Sequence, residues 1–98
     1  MQMDRKMRYF IAVVETNSFF EAGEACHISQ SAISQQIRAL EEELQVQLLE
    51  RHGRKFTVTP AGRYFYEQAK KQVQMLDSAV REARRIASGE FQRLGSAC

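Results

Sequence analysis

The sequence predicts a mainly α-helical chain of three short helices, a two-stranded β-hairpin and one long helix. Three observations carry that prediction. Apolar residues recur in steps of three and four through most of the 98 residues. The stretch that breaks this period surrounds the basic, glycine-containing run Arg51-His52-Gly53-Arg54-Lys55. The single proline, Pro60, opens a second part in which a helical pattern runs on to Gly89.

In the first part, Met3, Met7, Phe10, Ile11 and Val14 mark the apolar stripe of a helix that ends near Asn17. Ser18-Phe19-Phe20-Glu21 then reads as a capping box, with hydroxyl and carboxylate closing the first turn of a short second helix. Phe19, Ala22, Gly23 and Cys26 share one face of it. A helix-interior glycine costs about 1 kcal/mol relative to alanine, so Gly23 predicts the close approach of a neighbouring helix. Ser29 caps a third helix that buries Ile33, Ile37, Leu40 and Leu44. Val46, Leu48 and Leu49 lead into the basic run, and Phe56-Thr57-Val58 leads out of it, which is the pattern of a β-hairpin. Thr59 caps the fourth helix and Pro60 takes its first position, where the missing N–H is harmless. This helix is expected to cover 60–88, about 29 residues or roughly 44 Å. Along it Tyr66, Ala69, Val73, Leu76, Val80, Ala83 and Ala87 form a heptad seam, flanked by Phe65, Met75, Ala79 and Ile86. A 58-residue domain is too small to cover both stripes, so the seam predicts dimerisation. Three helices followed by a basic hairpin is the winged helix-turn-helix order, here over 2–59, with the helix-turn-helix itself at about 19–38.

Composition narrows the function. At 44% apolar and 27% charged residues the chain holds a modest core and is not disordered. No apolar run approaches the ~20 residues of a membrane span, and MQMDRKMRYF lacks the plan of a signal peptide. Cys26 and Cys98 make no disulfide framework, which predicts a reducing cytoplasm. Cys26-His27 and His52 lack metal-ligand spacing, so no metal is expected. Nor is there a nucleophile elbow or a phosphate-cradling glycine loop, so neither catalysis nor a cofactor is expected. The net charge of +2 selects no partner. It averages unlike parts, since residues 1–58 hold seven Lys/Arg against eight acids and residues 59–98 seven against four.

Function is concentrated on the third helix. At 100° per residue, Ser31, Gln35, Arg38 and Glu42 lie opposite its buried stripe, flanked by Ala32 and Ser34. The N-terminal half of that face carries hydroxyl, amide and guanidinium groups and no acid, while Glu41, Glu42 and Glu43 are held back to the other end. Gln pairs with adenine, Arg with guanine, and free first-turn N–H groups favour phosphate. A helix inserted into the major groove by its N-terminal end shows this polarity. Arg51, Arg54 and Lys55 on the hairpin suit phosphate or minor-groove contact.

The run His27-Ile28-Ser29-Gln30-Ser31-Ala32-Ile33-Ser34-Gln35-Gln36-Ile37-Arg38-Ala39-Leu40-Glu41 resembles the helix-turn-helix of LysR-type transcriptional regulators. Arg8-Tyr9-Phe10-Ile11-Ala12-Val13, Asn17-Ser18-Phe19, Glu42-Glu43-Leu44, Leu48-Leu49-Glu50-Arg51 and Thr59-Pro60-Ala61-Gly62 continue the resemblance in register. It covers about residues 3 to 62 and, less specifically, the long helix to 88. Ser31 stands where the family often has proline, Gln35 where it often has arginine, Leu49 for a common phenylalanine, Gly23 for alanine and Cys26 for leucine. Base preference therefore does not carry over.

The resemblance implies a bacterial transcription regulator that reads double-stranded DNA. Ser29, Gln30, Ser31, Ala32, Ser34, Gln35 and Arg38 would face the groove, and Arg51, Arg54 and Lys55 the backbone. Such regulators dimerise through antiparallel linker helices, commonly assemble as tetramers and read partly palindromic operators. They sense a small-molecule effector through a C-terminal domain absent from these residues. The run Gly89-Glu90-Phe91-Gln92-Arg93-Leu94-Gly95 in the 89–98 tail looks like the approach to that domain's first strand. A DNA-binding fragment is therefore expected, with a naturally short regulator as the alternative. The rival function is a protein-interaction module whose long helix binds a partner coil beside a vestigial winged domain. A membrane-surface helix fits less well, because Glu67, Asp77 and Glu82 interrupt the basic residues. Arg81, Arg84 and Arg85 suit solubility or inter-subunit pairing.

Overall fold

A computed structural model describes the backbone of residues 3–97 and the side chains of residues 5–89. The element order is α1 (Met3–Thr16), α2 (Phe19–Cys26), α3 (Gln30–Leu44), β1 (Leu49–His52), β2 (Lys55–Val58) and α4 (Pro60–Ala97). This is the mainly α winged helix-turn-helix followed by a long helix that the sequence predicts.

The core lies where α1, α2 and α3 meet the root of the hairpin. Phe10, Val13, Ala22, Ile33, Ile37, Leu40, Leu48 and Leu49 are fully buried there. On α1 the buried face runs through Met7, Phe10 and Val13. Ile11 and Val14, which the periodicity placed on the stripe, are only half-buried. The face is rotated because α1 packs against α4 as well as α2 and α3, which centres it on Phe10. The side chain of Met3, also assigned to that stripe, is outside the described ones.

Each helix boundary has a local cause. Asn17, with φ 55, ends α1 in the left-handed region, as His27 (φ 61) ends α2 and Gln45 (φ 57) ends α3. Ser18 Oγ accepts the Glu21 N–H at 3.0 Å. The second half of the expected capping box is not made, because the Ser18 N–H donates to Thr16 Oγ1 at 3.3 Å. Ser29 Oγ accepts the Ala32 N–H at 3.1 Å and opens α3. Gly23 does face a close approach, yet from the α2–α3 turn rather than a helix flank. A Cβ there would lie 2.7 Å from the Ile28 carbonyl oxygen.

The strands pair antiparallel from Leu49↔Val58 to His52↔Lys55, and Gly53 (φ 64) makes the turn between them. Thr59 ties the hairpin to α4, donating to the Gln47 carbonyl at 2.7 Å and accepting the Gly62 N–H at 2.9 Å. Gly62 is required by contact: a Cβ there would lie 2.1 Å from the Leu48 carbonyl oxygen.

The fourth helix is longer than its pattern predicts, 38 residues, passing through Gly89 instead of stopping before it. A glycine costs a helix only about 1 kcal/mol, and no proline follows to end it. A radius of gyration of 18.0 Å, against about 13 Å for a compact chain of this length, reflects the protruding helix. The heptad seam divides accordingly. Ala69 is buried and Tyr66 half-buried against the winged head, where Phe65 meets Phe10 at 5.9 Å between ring centroids. Val73 is half-buried, while Leu76, Val80, Ala83 and Ala87 are exposed.

Charged side chains join α4 to α1. Glu15 accepts from Lys70 Nζ at 2.6 Å and from Tyr66 Oη at 2.9 Å, and Arg8 meets Asp77 at 3.2 Å. The Lys70 and Tyr66 bonds hold the Glu15 carboxyl below its ordinary range, and Glu15 in turn raises Lys70.

Candidate nucleic-acid interface

The N-terminal half of α3 and the hairpin form the two walls of an open cleft of about 860 Å³. Ser29, Gln30, Ser31, Ser34 and Arg38 line one wall, and Arg51, Gly53, Arg54 and Lys55 the other, with Phe19 between them. Four cations and no carboxylate stand among these lining residues. The cap at Ser29 and the glycine turn at Gly53 set the ends of the two walls, so local backbone chemistry places the site.

Eight of the ten groove and wing residues singled out by sequence therefore meet in one concavity. Gln35, exposed, and Ala32, half-buried, do not line it. Helical geometry explains the split. Positions 30, 34 and 38 lie on the wing side of Ser31, whereas 32 and 35 turn past it to the other side. Arg38, Arg54 and Lys55 enter none of the ion pairs among the described residues. Such a wall of unpaired cations and small donors can hold a polyanion and still present hydrogen-bonding groups to what the polyanion carries.

Arg51 is different. Its guanidinium is largely shielded, 3.3 Å from Glu41 Oε1, and stands 5.6 Å from the centre of the Phe19 ring. Phe19 itself packs on Phe56 at 4.9 Å. Glu41, grouped by sequence with the solvent-facing acids of α3, is folded into the hairpin's root. Its other oxygen accepts the Leu48 and Leu49 N–H groups at 2.8 and 3.0 Å. The signal for this was a seven-residue step from Ser34, which keeps Glu41 on the wing side two turns further along. Among the described residues no group of three His, Cys, Asp or Glu side chains is placed to hold a metal. Burial pushes the Cys26 thiol up, away from reactivity.

Residues 5–63 match the family model for the bacterial regulatory helix-turn-helix protein, lysR family. The chain belongs to the LysR family. Among its curated relatives, the transcriptional regulator BenM of Acinetobacter baylyi is 48% identical over 86 residues, covering 88% of this chain and 28% of BenM. BudR of Klebsiella aerogenes is 45% identical over 85 residues, covering 87% of this chain and 59% of BudR. The chain thus spans less than two thirds of the length of either LysR-type relative. The fold is similar to the BenM DNA-binding domain in complex with benA site 1 DNA, with a TM-score of 0.84 and 47% identity over 91% of this chain and 99% of that one. It is also similar to the DNA-binding domain of CbnR in its DNA complex, at TM-score 0.81 and 37% identity over 89% of this chain and 99% of that one. Among the described residues of this LysR-family chain, no helix is long and apolar enough to cross a membrane.

Proposed function

We propose that this chain is the DNA-reading part of a cytoplasmic LysR-type transcription regulator and has no catalytic role. It binds double-stranded DNA sequence-specifically, with α3 in the major groove and the hairpin wing on the backbone or minor groove. The observation that carries this reading is the acid-free cleft, where the cations of Arg38, Arg54 and Lys55 converge with the polar groups of Ser29, Gln30, Ser31 and Ser34. Gln35 and Ala32 sit beyond its rim, where they meet bases further along the groove. The exposed outer seam of α4, Leu76, Val80, Ala83 and Ala87, is the surface for a second copy. The dimer offers two recognition helices to a partly palindromic operator. The likeness to LysR DNA-binding domains solved with DNA supports the same reading.

Selection from a random-sequence duplex pool tests it. Enrichment of a partly palindromic motif is expected, with affinity falling steeply as salt rises. Replacing Arg54 and Lys55 together by alanine should weaken binding to every duplex, flatten the salt slope and leave the motif columns read by α3 in place. Gln35→Ala should cost about 1–3 kcal/mol at one base position only. A pool that yields no motif would overturn the proposal.

A further inference from the structure

We propose that Glu41 is a positioning residue that locks the wing to the recognition helix and thereby decides which flanking bases the wing reads. The inference rests on the DNA-binding reading above. A hairpin of two four-residue strands is marginal by itself and takes its orientation from what it docks on. Two of its anchors are apolar, Leu49 in the core and Phe56 on Phe19, and apolar contacts hold position more firmly than angle.

Glu41 supplies the directional anchor. Its Oε2 accepts the N–H groups of two successive residues at the hairpin's root, Leu48 at 2.8 Å and Leu49 at 3.0 Å. Its Oε1 takes Arg51 Nη1 at 3.3 Å, two residues further along the same strand. Both side chains are mostly shielded, 14% exposed for Glu41 and 22% for Arg51, so solvent competes little for these charge-assisted bonds. Among the described residues, Arg51 Nε and Nη2 are buried without a hydrogen-bond partner. The guanidinium is therefore held by the Glu41 carboxylate and the Phe19 ring, and its charge serves the wing's attachment.

Leverage turns this anchor into a matter of specificity. A strand of four residues is about 13 Å long, so a 10° rocking at the root moves the tip by about 2 Å. That displacement takes a side chain such as Arg54 out of hydrogen-bond reach. Without the carboxylate, two N–H groups at the hairpin's root and a shielded cation lose their partner together, and the wing is free to rock.

The test compares wild type, Glu41→Ala and the closer isostere Glu41→Gln, which keeps an acceptor for the N–H groups while losing the charge. Each full chain is put through selection from the random duplex pool, and amide exchange at Leu48 and Leu49 is measured against that at Ile37. Glu41→Ala should keep the motif columns read by α3 and lose about tenfold discrimination in the flanking columns. Exchange at Leu48 and Leu49 should speed up by about tenfold or more while Ile37 stays slow. Glu41→Gln should fall between the two. A lower melting temperature with an unchanged motif and unchanged relative exchange would mean a purely structural role and overturn the proposal. If wild type itself selects no motif, the DNA-binding reading falls and the specificity role falls with it. The exchange ratio then still reports whether Glu41 anchors the wing.

Discussion

The winged head and the outer half of α4 carry the same kind of apolar periodicity and meet opposite fates. In the head, the stripes of α1 and α3 end at fully buried Phe10, Val13, Ile33, Ile37 and Leu40. Along α4 the same spacing leaves Met75 72%, Leu76 54% and Ile86 48% exposed. Ala69 marks the change, the last α4 residue to be buried against its own domain. The lesson is that periodicity predicts a face to be covered and is silent on what covers it. In the head the cover is intramolecular. Beyond Asp77, which still meets Arg8 of α1 at 3.2 Å, the helix has outrun the domain.

Four measurements can break or sharpen that contrast. Phe10→Ala should destabilise the head by about 3–5 kcal/mol, read by urea denaturation, with the same loss at every protein concentration. A concentration-dependent loss would mean that the head too relies on a second copy. Leu76→Asp should leave the head's stability within about 0.5 kcal/mol and weaken self-association by at least roughly 30-fold in sedimentation equilibrium. Unchanged association would show that the outer seam is not the contact between copies.

Gly89→Ala should raise the helicity of α4 and stabilise it by about 0.5–1 kcal/mol, because no atom of the described residues lies within 4 Å of a Cβ built there. A loss instead would reveal a partner pressed against that position. The smallest effect belongs to the α1–α4 ion pair. The Glu15 carboxyl is held below its ordinary range, so its contribution is present above that range and fades as pH falls through the lowered value. Lys70 is raised, so its part is present below its ordinary range and fades as pH rises through the raised value. Glu15→Gln should remove the acid-side dependence and cost under about 1 kcal/mol, since the pair is partly exposed. Acid titration of the melting temperature in both proteins checks this.

Most of the fold was legible because its signals are local. Ser18, Ser29 and Thr59 cap helices from their own positions, and Gly53 supplies the positive φ of its own turn. The cleft's chemistry was legible too, since the acid-free half of α3 and the basic hairpin are continuous stretches of chain. One miss is local, since Thr16, two residues back, takes the Ser18 N–H that Glu21 was expected to satisfy. What else escaped depends on neighbours. Glu41 looks like one of three equivalent acids until the hairpin root folds onto it. Gly89 reads as a stop only if every glycine is treated as a breaker, whereas an exposed helix tolerates it.

By itself the sequence determined the number and order of the elements, their caps, the basic turn and the resemblance that proved to be family membership. These follow from hydrogen bonds and periodicities closed within a few residues. Only the tertiary structure decided which face of α1 is buried, how the α4 seam divides between head and solvent, and which carboxylate carries the wing. Those outcomes turn on segments far apart in the chain competing for the same surface. Spacing along the chain records that a side chain needs a partner, and packing alone chooses which.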